Sequence, residues 1–154
     1  MTDGVRQHPT LGELRWNPTL DSWEATVELF PGCHIRFAIV AEAEWADIDP
    51  AELFEIGATF LQWAREFEPH CRDQIANDLL DCYNEVWADE DPEEGQPPHT
   101  RGEFLSAIRP SGISLFDNGS SSWSYDPGDL FAGHSIWHML DENRSFIGKA
   151  SLVG

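Results

Sequence analysis

The apolar residues of this chain change period twice, and that change limits the fold more than any single motif does. In "WEATVELF" the apolar residues Trp23, Ala25, Val27 and Leu29 alternate with polar ones. Alternation marks a half-buried strand, because successive strand side chains point to opposite faces. "HIRFAIV" alternates again through Ile35, Phe37 and Ile39. From Leu53 the spacing becomes three and four. Leu53, Gly57, Phe60, Leu61, Ala64 and Phe67 then fall on one helix face. Beyond Pro110 the short strand-like segments return as "GISLF", "SSWSY", "GHSIWHML" and "SFIGKASLV".

Strands, then helices, then strands point to an α+β fold with a mainly antiparallel sheet. "LGELRW", "WEATVELF" and "HIRFAIV" make an N-terminal three-strand meander. The four late segments make a C-terminal four-strand meander, and two to three central helices pack on the sheet. Asp49 is placed to cap the first helix, with Pro50 in its first turn and Glu52 able to close a capping box. Pro69 is expected to end that helix and open the next, whose stripe is Ile75, Leu79, Cys82, Tyr83 and Val86. Residues 88–99 form an acidic, Pro-rich loop. Thr100 and Glu103 have capping-box spacing before a short third helix. Asp117-Asn118-Gly119 reads as a hairpin turn.

A chain of 154 residues can bury one core without staples. A single domain over 1–154 is expected, with its first ~8 residues flexible. The cysteines Cys33, Cys71 and Cys82 are odd in number and form no C-x-x-C. Cys71 and Cys82 on one helix would lie ~16 Å apart, beyond the ~7 Å a disulfide allows. They read as buried or idle thiols in a cytoplasmic protein. No segment approaches the ~20 apolar residues of a membrane span.

The net charge of −19 is concentrated. Residues 42–94 hold seventeen acidic residues and only two basic ones, Arg65 and Arg72. Such a field repels nucleic acid and anionic membranes, and it draws in a basic protein. Solubility alone, or a salty habitat, would leave the same mark. The seven tryptophans are not interleaved with a basic stripe, which also argues against nucleic acid.

Catalytic signals are few. His134 and His138 lie four apart, which on a strand is ~13 Å and too far for one metal. His134 alone is a weak catalytic candidate, with Asp126 or Asp129 as a carboxylate partner. The competing reading is a packed histidine whose ring satisfies a backbone group, beside a glycine, Gly133, that lets another segment come close. Ser135 adjoins His134 but points to the opposite face. Cys71 adjoins His70 and reads as helix surface. "DEDPEE", Asp89 to Glu94, lacks the glycine and terminal glutamate of an EF-hand and reads as a solvated loop. No metal and no cofactor are expected.

Three linked stretches carry a resemblance: "YNEVWADEDPEE", "TRGEFLSAI" and "ISLFDNGSSSWSYDPGDLFAGHSIWHMLDE". They resemble the bacterial domain-of-unknown-function 2262 family and its close relatives. The shared run is an N-x-x-W helix end, an acidic loop, a T-x-x-E-F helix start, a strand ending in a D-G turn, and D-L-F-x-G-H-x-I. "LGELRWNPTLDSWEATV" resembles the family's opening hairpin. One departure is Ala132, where many relatives carry a large aromatic. The resemblance implies an α+β domain without an established reaction, and its association with toxin loci implies an immunity role.

The function expected is therefore a non-enzymatic cytoplasmic binding protein that neutralises a basic partner such as a toxin. Its docking residues are expected to be Glu42, Glu44, Asp47, Asp89, Glu90, Asp91, Glu93 and Glu94, with Trp45, Trp63 and Trp87 as exposed anchors. The alternatives are an enzyme built on His134, or a housekeeping or self-associating module. Oligomeric state is left open.

Overall fold

A computed structural model describes residues 4–89, 91, 93 and 95–154. Eight strands form one sheet in the order of the sequence: β1 Val5–His8, β2 Gly12–Asn17, β3 Ser22–Phe30, β4 Cys33–Val40, β5 Arg109–Leu115, β6 Ser121–Asp126, β7 Ser135–Leu140 and β8 Ser151–Val153. Every pair is antiparallel except β4 and β5, which run parallel. A parallel pair needs a crossover rather than a hairpin. Residues 41–108 supply it and contain both helices, α1 Pro50–Cys82 and α2 Arg101–Ala107. The two meanders are thus halves of one mainly antiparallel sheet, as the α+β reading requires.

The N-terminal half has one more strand than expected. Val5–His8 lie within the stretch expected to be flexible, but they pair with Gly12–Arg15 as the edge strand β1. The segment shows no apolar alternation, so only its backbone partner defines it as a strand.

One face of the sheet carries the core. Trp23, Ala25, Val27 and Leu29 of β3 and Cys33, Ile35, Phe37 and Ile39 of β4 are buried, as the alternation predicts. Ile113, Leu115, Trp123, Tyr125, Ile136 and Leu140 continue that face. Against it lies α1, burying Leu53, Phe54, Gly57, Phe60, Leu61, Ala64, Cys71, Ile75 and Leu79. At Gly57 the helix comes so close to β4 that an added Cβ would sit 2.4 Å from Ile39 Cδ1.

The break expected at Pro69 does not occur, because α1 runs through it as a single helix of 33 residues. Proline costs a helix interior ~3 kcal/mol by losing one hydrogen bond and crowding the preceding turn. Each large apolar side chain buried on either side of it contributes ~1.5–3 kcal/mol. The apolar stripe therefore outweighs the proline, whose ring lies on the exposed side. Asp49 caps the helix by accepting from the Ala51 amide, and Pro50 occupies its first position. A π-helical turn, Tyr83–Trp87, closes the other end.

Candidate functional site

The outer side of α1 is where the charge is organised. Glu52, Glu55, Thr59, Gln62, Glu66, His70, Asp73, Asn77 and Asp81 follow one another at three or four residues, and all are exposed. That spacing places them on one face, opposite the buried stripe. No lysine or arginine lies in the row. At ~1.5 Å per residue it extends ~40 Å. Three members have partners outside the row: His8 Nε2 lies 2.7 Å from Glu55 Oε1, and Arg101 reaches Asn77 Oδ1 at 2.8 Å and Asp73 Oδ1 at 3.4 Å. The remaining carboxylates of the row, on Glu52, Glu66 and Asp81, are exposed.

The expected docking residues do not form one patch. Glu42, Glu44 and Asp47 are exposed just before α1, while Asp89, Asp91 and Glu93 follow its far end. A helix of 33 residues separates the groups by ~50 Å. In the far loop Asp89 Oδ1 accepts from the Asp91 amide and Asp91 Oδ1 from the Glu93 amide, so these carboxylates shape turns. Glu90 and Glu94 lie outside the described residues. No group of three or more metal-ligating side chains forms among the described residues.

The tryptophan anchors require correction. Trp45 is only 9% exposed and faces inward. Trp63 is half-buried, stacked on Phe67 with ring centroids 4.6 Å apart and covered by the Arg144 guanidinium at 4.3 Å. Trp87 is also half-buried, with its ring against Phe131 and His134. Large indoles beside an apolar helix face are drawn into the core for the area they bury.

His134 lies in the turn before β7, and its ring meets Trp87 edge-on at 5.8 Å. Among the described residues the histidine–carboxylate pairs are His8–Glu55 and His34–Glu28, so His134 has no carboxylate beside it. Asp126 instead accepts from the Gly128 amide in its own turn, and Asp129 is exposed. The idea that Gly133 admits a neighbouring segment is also corrected. An added Cβ there would meet nothing within 4 Å, and the glycine is required by its φ of +87°. Ala132 beside it is left-handed too, at +53°.

Cys71 is not helix surface. It is fully buried, and burial pushes its thiol up to about 12, which removes it as a nucleophile. Around it lies a polar network that periodicity did not reveal. Glu68, buried in the apolar stripe, pairs with Arg72 and accepts from the Tyr125 hydroxyl at 2.9 Å. Burial raises the Tyr125 hydroxyl well above its ordinary value. A second polar cluster sits in an open cleft of about 610 Å³ on the solvent face of the sheet, where Arg36, Asn17 and Ser22 all donate to Glu24. Both clusters satisfy their own charges.

The motifs behind the resemblance meet at one end of α1. Asn84 exchanges two hydrogen bonds with His99, at 2.8 and 3.0 Å, and the Tyr83 hydroxyl donates to the Pro97 carbonyl. Thr100 and Glu103 form the expected capping box. Phe104 and Phe131 then pack with Tyr83 beneath Trp87. The N-x-x-W, T-x-x-E-F and D-L-F-x-G-H stretches thus fasten the crossover to the sheet. The profile of the family described as "Uncharacterized protein conserved in bacteria (DUF2262)" matches residues 8–150. The chain belongs to this family. No curated protein and no solved structure matches the chain. For this DUF2262 chain the family description names no reaction and no partner. No helix among the described residues is long and apolar enough to cross a membrane.

Proposed function

We propose that this DUF2262 protein is a non-enzymatic binding protein that receives a basic protein partner on the acidic outer face of α1. The observation that carries this reading is the row from Glu52 to Asp81, ~40 Å of exposed helix positions none of which is lysine or arginine, the two arginines of α1, Arg65 and Arg72, lying off this face and half-buried. A helix fixed by eleven buried residues holds in place the backbone that carries those charges, so only their side chains need be ordered when a partner arrives. Charge of one sign on a rigid face raises encounter rates and selects the partner's sign. The cytoplasm is the proposed compartment, where Cys33, Cys71 and Cys82 stay as the free thiols they are here. Neutralising a basic toxin is the form of this function that the family resemblance favours.

The test is a pull-down from the native host's lysate at low and moderate salt. The bait is the wild-type protein or the Glu52→Lys/Glu66→Lys/Asp81→Lys variant. One dominant basic protein, retained by the wild type and lost by the variant, is expected. Equal retention by both would reject the helix face as the docking surface.

A second reading, self-association, is favoured by a different surface. On the solvent face of the sheet Trp137, Met139 and Val153 are exposed side by side on β7 and β8, at its edge. Their strands carry no charged residue at exposed positions. Sedimentation of the wild type and of Trp137→Ser at several salt concentrations tests this. A dimer that the substitution dissolves would support it.

A further inference from the structure

Two open clefts with largely apolar walls flank Trp45 at the N-terminal end of the acidic face. One, of about 440 Å³, has Trp16, Trp23 and Leu53 in its walls and Arg6 and Asp47 at its mouth. The other, of about 410 Å³, has Ile56, Phe60 and Leu115 in its walls and Glu55, Glu142 and Arg144 at its mouth. Trp45 lines both. Volumes of this order hold buried side chains or small ligands.

The turn that places Trp45 is strained and pinned. Ala43 holds a left-handed φ of +49°, a conformation a non-glycine residue keeps only when its surroundings impose it. The imposition is visible: the Glu44 amide donates to Asp117 Oδ2 at 3.0 Å, and the Trp45 amide donates to the Glu42 carbonyl at 2.9 Å. The indole is thereby fixed as a wall between two hollows. Charge at the mouths is mostly negative, from Asp47, Asp49, Glu55 and Glu142. Of the two cations, Arg144 is committed to the faces of Trp63 and Phe60.

We infer that this pair of open clefts is the anchoring centre of the acidic face, and that it receives a partner segment carrying apolar side chains among arginines or lysines. The inference rests on the docking reading above and adds where the affinity comes from. Carboxylates along α1 attract any basic surface, but exposed charges add little affinity by themselves. Apolar side chains seated in preformed hollows supply it, as at the centres of protein interfaces. The tryptophans are then the walls of the receptor, and the partner supplies the projecting side chains.

The probes are two fluorescently labelled peptides of equal length and charge, one alternating arginine with leucine and the other arginine with serine. Anisotropy at moderate salt reads their binding. The leucine peptide is expected to bind about tenfold more tightly or better. Filling both mouths with Ala46→Trp and Thr59→Trp, at two exposed positions that remove no core side chain, is expected to abolish the difference. Equal binding of the two peptides to the wild type would overturn the anchoring centre and leave the acidic face standing. A leucine advantage that survives the filled mouths would also overturn it. Failure of both peptides to bind would reject the acidic face itself, and this inference with it. Trp45→Ala, checked for its melting temperature, gives an independent readout of the same wall.

Discussion

The Tyr125 hydroxyl donates to Glu68 Oε2 at 2.9 Å, joining β6 to the middle of α1 inside the core. The same carboxylate pairs with Arg72, which is three-quarters buried at its side chain. Removing one partner of such a group strands the other without water. Tyr125→Phe is expected to cost about 2 kcal/mol, the scale of a hydrogen bond to a charged group. Glu68→Ala strands the arginine and the hydroxyl together and is expected to cost about 3–5 kcal/mol. Urea unfolding of both variants checks this. A loss under about 0.5 kcal/mol for Glu68→Ala, the ordinary effect of a surface substitution, would show that the network does not hold the helix to the sheet.

His138 predicts an acid-sensitive step. It is 1% exposed, its ring stacks on Phe146 with centroids 4.4 Å apart, and neither ring nitrogen has a hydrogen-bond partner among the described residues. Burial lowers its pKa below the usual 6.5, and the Asp78 carboxylate and the nearby Gly148 backbone oppose that only in part. Between the two values the unfolded chain takes up a proton that the folded chain refuses. The contribution is therefore complete above pH 6.5 and is lost as pH falls through the window below it. His138→Phe keeps the stack and removes the titration. Its stability should fall less than the wild type's as pH drops below about 6.5. Parallel pH profiles for the two proteins would show that His138 is not the group responsible.

Glu24 titrates in a lower window. Its hydrogen bond from Arg36, with further donors from Asn17 and Ser22, holds its carboxyl at about 2 against an ordinary 4.5. A carboxylate held low stabilises the fold fully above its unfolded value and loses that effect as pH falls through its folded one. The window here runs from 4.5 down to about 2. Carbon-detected NMR titration should place the midpoint near the bottom of that range and move it upward in Arg36→Gln. A wild-type midpoint at 4.5 would mean that the ion pair does not persist in solution.

These residues also show how far the sequence reaches. Alternation in β3 and β4, the capping box at Thr100 and the turn at Gly119 are local, and each appears where its chemistry requires. The parallel pairing of β4 with β5 joins residues more than seventy positions apart, and no local pattern encodes it. Pro69 was misleading because proline's cost is local while the stripe from Phe60 to Leu79 gains its energy from the sheet. Glu68 falls at a buried position of the helix, whereas a lone charge would favour the surface. Only the fold supplies the Tyr125 and Arg72 that reconcile the two. The acidic row was legible: Glu52, Glu55, Glu66, Asp73 and Asp81 keep helical spacing opposite the apolar stripe. Reading the charge by sequence segment rather than by helix face pointed instead to Glu42, Glu44 and Asp47 before α1 and to the loop after it.

The central claim is that the outer face of α1 steers and docks a basic protein. Its most direct test is the association rate constant with the partner captured from host lysate, followed by stopped flow across salt concentrations. The wild type should associate quickly, with a rate that falls steeply as salt rises. Glu52→Lys/Glu66→Lys/Asp81→Lys should slow the rate and flatten its salt dependence, while Asp89→Lys/Asp91→Lys/Glu93→Lys in the loop should change both far less. A stripe variant that associates at the wild-type rate with the wild-type salt dependence would contradict the account.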